Sequence, residues 1–128
     1  MALRDQIRIM VVDDMSTSRG LITQALEALG VRNVSTAEDG ANALANFAKA
    51  PVHMIISDYN MPNMDGLQLL HRLRSNDATK GIGFILITGR AEKEIIEHGT
   101  KLGMNNYLKK PFQPADLKNC IEAVVGPL

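Results

Sequence analysis

The chain has 128 residues, which is the size of one compact domain around one hydrophobic core. Apolar residues make up 45% of it, and no apolar run approaches the roughly 18 to 20 residues that a membrane-spanning helix needs. Its 14 basic residues balance its 14 acidic ones, which argues against a nucleic-acid-binding surface. The N-terminus lacks the apolar stretch of a secretory signal, and Cys120 is the only cysteine. These features predict a cytoplasmic protein without disulfides.

Five short apolar runs alternate along the chain with five segments of helical spacing. The predicted strands cover residues 7–12, 34–37, 52–56, 84–88 and 106–108. Three of these runs are continuously apolar, which is typical of strands covered on both faces of a sheet.

The helical segments show apolar residues three and four positions apart. The five stripes are Leu21, Ile22, Ala25, Leu26 and Leu29; Ala41, Leu44, Ala45 and Ala48; Leu69, Leu70 and Leu73; Ala91, Ile95, Ile96 and Gly99; and Leu117, Cys120, Ile121 and Val124. Gly30 follows the first stripe, where a helix often ends in a left-handed residue, and Pro51 stops the second. Pro114 lies in the first turn of the last helix, a position that favours proline.

Strand and helix therefore alternate five times, which predicts an α/β fold with a doubly wound, five-stranded parallel sheet. We expect one domain over residues 1–128. In such open sheets, ligands bind beyond the carboxyl ends of the strands. Functional residues are therefore expected at that edge.

Polar side chains follow the predicted strands at this edge. Asp13 and Asp14 follow the first strand, Asp58 the third and Lys110 the fifth, and Thr88 ends the fourth. Three neighbouring carboxylates repel one another unless a cation neutralises them, and such oxygen ligands suit Mg²⁺. Asp58 is the best candidate for a nucleophile toward a phosphoryl donor, because it ends a central strand opposite the acidic pair. Mg²⁺, Lys110 and the Thr88 hydroxyl would then hold the phosphoryl oxygens.

Each of these residues alone has an ordinary structural interpretation. Asp14 is then a helix cap, Thr88 a strand residue, Lys110 part of a surface turn, Asp65 a helix start and Tyr107 half-buried packing. Their arrival at one sheet edge, each in a fitting chemical role, favours the functional interpretation.

A longer set of residues resembles a known family. The set comprises Asp13-Asp14, Asp58, Met61-Pro62, Met64-Asp65-Gly66, Thr88, Tyr107 and Lys110-Pro111. It is similar to bacterial response-regulator receiver domains of two-component systems, and among them to single-domain chemotaxis regulators of the CheY type. The resemblance covers essentially the whole chain. It implies the flavodoxin-like strand order 2-1-3-4-5, which is known for this family.

The resemblance also implies roles for the acidic residues. Asp58 would receive a phosphoryl group from a histidine kinase. Asp14, Asp58 and the backbone carbonyl of Asn60 would bind Mg²⁺ directly, and Asp13 would bind it through water.

Other residues at this edge take their implied roles from the same resemblance. Thr88 and Lys110 would hold the phosphoryl oxygens, and the rotamer of Tyr107 would report the state of the switch. The Lys110-Pro111 bond would be cis, which is uncommon even before proline. Gly89 and Arg90 depart from the commonest family pattern beside the phosphoryl pocket, and therefore bear on the lifetime of the phosphorylated state.

A regulator of this type signals through its own surface. The implied output face lies on the fourth predicted helix, the fifth strand and the fifth helix. Its residues are Lys93, Ile96, Lys101, Tyr107, Lys109, Gln113 and Lys118. Expected partners are a histidine kinase and a downstream protein such as a flagellar motor switch protein, with a phosphatase as a further candidate. We expect a monomer that binds neither nucleic acid nor membrane.

Alternatives remain at this stage. Within the family, the chain can be a phosphorelay shuttle or a phosphate sink, since the site chemistry is shared. A flavodoxin-like FMN binder is favoured by Ser16-Thr17-Ser18, but Asp13 and Asp14 would repel the flavin phosphate. A Mg²⁺-dependent phosphohydrolase usually needs a further domain to select substrates. We therefore expect a signalling domain that catalyses only its own phosphoryl acceptance and loss, and not an enzyme.

Overall fold

The computed structural model describes residues 2–90 and 92–128. Its strands are β1 (Arg8–Val12), β2 (Asn33–Ala37), β3 (Met54–Asp58), β4 (Gly83–Thr88) and β5 (Asn106–Lys109). Its helices are α1 (Leu3–Gln6), α2 (Ser16–Ala28), α3 (Gly40–Lys49), α4 (Gly66–Arg74), α5 (Lys93–Leu102) and α6 (Pro114–Val125). Within these ranges, no helix combines the length and apolar character needed to cross a membrane.

The five strands form one parallel sheet in the order β2-β1-β3-β4-β5. This confirms both the predicted fold class and the strand order implied by the resemblance. The chain order reverses at β1, so β1 and β3 lie side by side at the centre. Their carboxyl ends flank the crevice in which open α/β sheets bind ligands.

The central strands are buried because helices cover both faces of the sheet. On one face, Ile9, Met54 and Ile85 pack with α2 and α6. On the other, Met10, Ile55 and Phe84 pack with α3 and α4. Continuous apolar runs are expected for strands that are buried on both sides. The edge strands β2 and β5 are partly exposed.

Local sequence signals fix several helix ends. The Asp39 carboxylate accepts a hydrogen bond from the Asn42 N–H at 2.7 Å and caps α3. Asp65 and Gln68 form a reciprocal capping box at the start of α4. Gly30 has φ 86° after α2, as its position predicted, and Pro114 is in the first turn of α6.

The third and fifth predicted stripes are confirmed, because Leu69, Leu70, Leu73, Leu117, Cys120 and Ile121 are buried. In the fourth, Ile95 and Ile96 are half-buried and Gly99 is buried, whereas Ala91 lies outside the described residues.

Two predicted helix faces are wrong in part. Leu21 is 61% exposed, whereas the other members of its stripe are buried or half-buried. In α3 the buried face is Gly40, Ala43 and Phe47, with Leu44 partly covered, while Ala41, Ala45 and Ala48 are exposed. Burying the Phe47 ring removes far more apolar area from water than burying alanine methyl groups does.

A short helix, α1, precedes the first strand and was not predicted. Its Leu3 packs against the part of the core that α2 and α6 cover. The fourth and fifth predicted helices are therefore α5 and α6, and the output face lies on α5, β5 and α6.

Candidate functional site

The carboxyl ends of four strands bring the predicted polar residues to one edge of the sheet. Asp13 follows β1, Asp58 and Thr88 are the last residues of β3 and β4, and Lys110 follows β5. With Asp14, Asn60, Gly89 and Arg90 they line or border an open cleft of about 500 Å³, here called the acidic cleft.

Three carboxylates meet in this cleft. One oxygen each from Asp13, Asp14 and Asp58 lies within 4.8 Å of the others. Asp13 and Asp58 are buried, whereas Asp14 is exposed at the mouth. Like charges that lie this close together favour either a bound cation or a raised pKa of one of the carboxyl groups.

The Asp13 carboxylate gives a specific test of whether a cation fits. Its Oδ1 accepts the Met15 N–H at 3.0 Å. Its Oδ2 is buried and, among residues 2–90 and 92–128, has no hydrogen-bond partner. Buried polar atoms are rarely left unpaired, because doing so costs about 1–3 kcal/mol. A carboxylate with one oxygen that, among the described residues, lacks a hydrogen bond, grouped with two other carboxylates, belongs to a donor set that fits a hard divalent cation such as Mg²⁺.

Lys110 supplies positive charge to the same cleft. Its Nζ lies 2.9 Å from Asp58 Oδ1 and 3.8 Å from Asp13 Oδ2. The Lys110-Pro111 peptide bond is cis, as the resemblance implied. The ammonium thus lies within hydrogen-bond distance of Asp58 and close to Asp13.

Burial raises the pKa of the Asp58 carboxyl above its usual value. The hydrogen bond and the charge of Lys110 act in the opposite direction, and the carboxylates of Asp13 and Asp14 raise the pKa further. The net upward direction means that the ionised carboxylate is incompletely compensated by the described side chains. An additional positive charge at this site would complete the compensation.

Thr88 and Tyr107 lie on the same face of the sheet. Tyr107 pairs with Leu86 and Lys109 pairs with Thr88, so Tyr107 lies two residues behind Thr88 in the register of the neighbouring strand. The Thr88 hydroxyl accepts the Arg90 N–H at 2.9 Å. The Tyr107 side chain is 39% exposed on the edge strand. Thr88 and Tyr107 are thus on neighbouring strands and on the same side of the sheet.

Residues 9–122 match the family described as the response regulator receiver domain. The chain belongs to this family. Receiver domains are signalling domains of two-component systems, which agrees with the expected signalling role. The flavin-binding and phosphohydrolase alternatives gain no support.

Relatives of this receiver carry chemotaxis names. A probable chemotaxis protein CheY of Rhizobium etli is 39% identical over 128 residues, covering 100% of this chain and 99% of the relative. The structure of CheY4 of Vibrio cholerae superposes with a TM-score of 0.86 at 32% identity, covering 92% of this chain and 98% of that one.

A further structural relative bears on the metal. It is the receiver domain of a sensor histidine kinase of Pseudomonas aeruginosa, with a magnesium ion coordinated in its active-site cleft. Its TM-score is 0.83 at 28% identity, over 94% of this chain and 98% of that chain.

Gly89 and Arg90 border the acidic cleft of this receiver in an open arrangement. A Cβ atom added at Gly89 would meet none of the described atoms within 4 Å. The Arg90 side chain extends into solvent and pairs with Glu92 at 3.2 Å. The approach to the cleft from this side is therefore open.

The residues of the predicted output face are largely accessible. Ile96 is half-buried, and the others are exposed: Lys93, Lys101, Tyr107, Lys109, Gln113 and Lys118. Lys93 also pairs with Glu97 one turn along α5, at 3.7 Å. The face is thus a mainly basic surface next to the Thr88–Tyr107 pair.

Sequence reasoning missed two contacts at the site. Arg19 donates a hydrogen bond to the Asp13 carbonyl at 2.7 Å, and Ser18 accepts one from Lys110 at 2.8 Å. The sequence gives no signal for either, because each depends on the direction in which a long side chain leaves its backbone.

Proposed function

We propose that this receiver is a phosphorylation-activated switch over residues 1–128, with Asp58 as the phosphoryl acceptor. The observation that carries the proposal is the Lys110 ammonium 2.9 Å from a buried Asp58 carboxylate, which also lies within 4.8 Å of Asp13 and Asp14. A buried carboxylate that is held by an ammonium at the centre of the sheet edge is a positioned nucleophile.

The donor is a phosphohistidine of a histidine kinase. An Asp58 carboxylate oxygen forms the new P–O bond while the P–N bond breaks, and the imidazole nitrogen leaves with the bonding pair. Lys110 stabilises the negative charge on the phosphoryl oxygens. The Thr88 hydroxyl, which accepts the Arg90 N–H, turns and donates a hydrogen bond to a phosphoryl oxygen.

Mg²⁺ is the proposed cofactor. Asp14, Asp58 and the Asn60 carbonyl would hold it directly and Asp13 through water, which suits an ion that keeps several waters. When bound, it supplies positive charge that neutralises the carboxylates and the phosphoryl oxygens. Two observations support this assignment: Asp13 Oδ2 has no hydrogen-bond partner among the described residues, and the pKa of Asp58 is raised.

Phosphorylation biases a two-state element made of Thr88 and Tyr107. As Thr88 turns toward the phosphoryl group, Tyr107 moves from its exposed position toward the sheet. The output face then binds its target, for which the chemotaxis names of the relatives favour a flagellar motor switch protein. The phosphate sink and the phosphorelay shuttle use the same site and differ only in the partner. We also propose that a phosphatase acts on the phosphorylated protein, and that the protein is a monomer in the cytoplasm.

The lifetime of the phosphorylated state is assigned to Gly89 and Arg90. Gly89→Ala fits without a clash and adds a methyl group on the open side of the cleft. We expect the variant to lose its phosphoryl group more slowly than the wild type in a pulse-chase measurement. Equal rates for Gly89→Ala, Arg90→Glu and the wild type would remove this assignment.

Labelling with a radioactive phosphoryl donor tests the proposed function. Wild type with Mg²⁺ and acetyl phosphate or a histidine kinase should be labelled, and Asp58→Asn should not. Asp39→Asn is the matched control, because it makes the same replacement at a helix cap outside the cleft, where asparagine caps equally well. Labelling of Asp58→Asn at a rate comparable to wild type would refute Asp58 as the acceptor.

A further inference from the structure

The hydroxyl run Ser16-Thr17-Ser18 opens α2 beside the acidic cleft and has no part in the proposed function so far. Ser16 and Thr17 are exposed, whereas Ser18 is half-buried and faces the loop that follows β5. Ser18 therefore differs from these two neighbours, because it is half-buried and its hydroxyl has a hydrogen-bond partner elsewhere in the chain.

The partner of Ser18 is Lys110. The Lys110 Nζ donates a hydrogen bond to Ser18 Oγ at 2.8 Å and lies 2.9 Å from Asp58 Oδ1. This side-chain bond spans 92 residues and joins the first turn of α2 to the β5–α6 connection. The ammonium is thus fixed from two sides, by a neutral hydroxyl and by the carboxylate.

The number of N–H donors on the ammonium determines how many partners Lys110 can hold at once. Lysine has three N–H donors on a flexible four-carbon stem, and it loses much rotamer freedom when it is held in one place. One donor is directed to Ser18 and one to Asp58, and Asp13 Oδ2 lies beyond hydrogen-bond distance at 3.8 Å. Among residues 2–90 and 92–128 this ammonium has no further hydrogen-bond partner, so its third donor can meet an incoming phosphoryl oxygen.

A hydroxyl suits this role better than a charged group. A carboxylate at position 18 would compete with Asp58 for the ammonium, and it would add a fourth negative charge to the cluster. An apolar side chain would leave the stem free to sample other rotamers. Serine orients the ammonium without neutralising it.

We propose that Ser18 is a positioning residue, which holds the Lys110 ammonium over Asp58 and thereby sets the rate at which Asp58 accepts a phosphoryl group. The inference rests on the proposed function. It predicts an effect on the chemical step, because preorganised charge acts where negative charge develops. Binding of the donor is not expected to change.

The test measures the rate of labelling against acetyl phosphate concentration at fixed MgCl₂. Ser18→Ala should lower the rate at saturating donor by roughly ten- to a hundredfold, because a misplacement of about 1 Å can cost ~10²-fold, and the half-saturating concentration should not change. Ser18→Thr retains the hydroxyl and should recover most of the rate. Ser16→Ala makes the same replacement in the same helical turn, on an exposed side chain, and should behave like the wild type.

A double variant then tests whether the effect passes through Lys110. In a Lys110→Ala background, Ser18→Ala should cause no further loss. The inference is overturned if Ser18→Ala is labelled at the wild-type rate, if Ser18→Thr is as slow as Ser18→Ala, or if Ser18→Ala slows Lys110→Ala further. Failure of the wild type to be labelled at Asp58 is a separate result, which refutes the proposed function and this inference with it.

Discussion

The carboxyl group of Asp58 combines burial, a lysine partner and two acidic neighbours, and their balance determines its effect on stability. Because its pKa is raised in the folded chain, the folded state retains this proton at pH values at which the unfolded state has lost it. Stability from this group is present below the unfolded pKa of about 3.8 and is lost as the pH rises through the raised folded pKa. At neutral pH the ionised carboxylate therefore opposes folding in the absence of metal.

This balance predicts that Asp58→Asn is more stable than the wild type at neutral pH in a chelating buffer. The advantage should shrink as the pH falls toward 4. Mg²⁺ should then raise the stability of the wild type, by about 2.7 kcal/mol at a concentration a hundred times its Kd, and that of Asp58→Asn much less. Urea unfolding with and without Mg²⁺ measures both effects. A metal-free Asp58→Asn less stable than the wild type would contradict the sign of the electrostatic balance.

The positions of the site residues were predictable where the strand topology alone determines them. Asp13, Asp58 and Lys110 meet because the carboxyl ends of parallel strands share one edge. The bond from Lys110 to Ser18 was not predictable, because strand order does not determine the rotamer of a lysine. The identity of the direct metal ligands is also a matter of side-chain geometry and remains a proposal.

At the scale of elements, α4 positions the loop that follows Asp58. The Gly66 N–H donates to the Tyr59 carbonyl at 2.8 Å. A Cβ atom at Gly66 would lie 2.6 Å from the Asp58 carbonyl oxygen and 2.7 Å from Leu86 Cδ1. The Asp65-Gly66 pair thus does more than start a helix, because the missing side chain allows α4 to approach the backbone of Asp58.

We therefore expect Gly66→Ala to destabilise the fold by about 1–3 kcal/mol, the usual effect of overpacking a well-packed core. The control is Gly20→Ala in α2, where a Cβ atom would meet none of the described atoms within 4 Å. Removing a glycine from that helix should stabilise it by about 0.5–1 kcal/mol. Chemical denaturation of the three proteins provides the comparison. A Gly66→Ala variant as stable as Gly20→Ala would show that the approach of α4 to Asp58 is looser than described.

The elements themselves were predicted better than their faces. The apolar runs that became β1 and β4 were found within a residue of their observed ends, since burial on both faces leaves little choice of residue type. In the alanine-rich α3, however, several faces have similar small side chains, and tertiary packing of Phe47 decided among them. Leu21 borders an open apolar groove with Phe112 and Pro114, where helical spacing alone predicted core.

At the scale of the whole molecule, the acidic cleft and the proposed output face are joined by one strand pair. Thr88 and Tyr107 share a face of the sheet on β4 and β5, and α5 and α6 flank that edge. Coupling between two sites of this kind typically amounts to about 1–3 kcal/mol, or 5- to 150-fold in affinity. The chain as a whole is formally neutral, so the lysines of this face form a local field rather than part of a general basic charge.

The lysines of the proposed output face are expected to be needed for binding the target. Lys93→Glu/Lys118→Glu should abolish the gain in affinity on phosphorylation for an acidic amphipathic peptide of a flagellar motor switch protein, while labelling of Asp58 proceeds normally. Lysines around a docking groove chiefly steer and orient an acidic helix, so wild-type binding should also weaken as salt is added. The Lys93–Glu97 pair is exposed and contributes little to folding, so the variant should remain folded.

Lys49→Glu/Lys80→Glu is the control: it changes the net charge equally, on exposed lysines of α3 and the α4–β4 loop, and should bind like the wild type. Peptide titration with and without the phosphoryl donor measures the effect, and equal gains in both double variants would locate the output surface elsewhere.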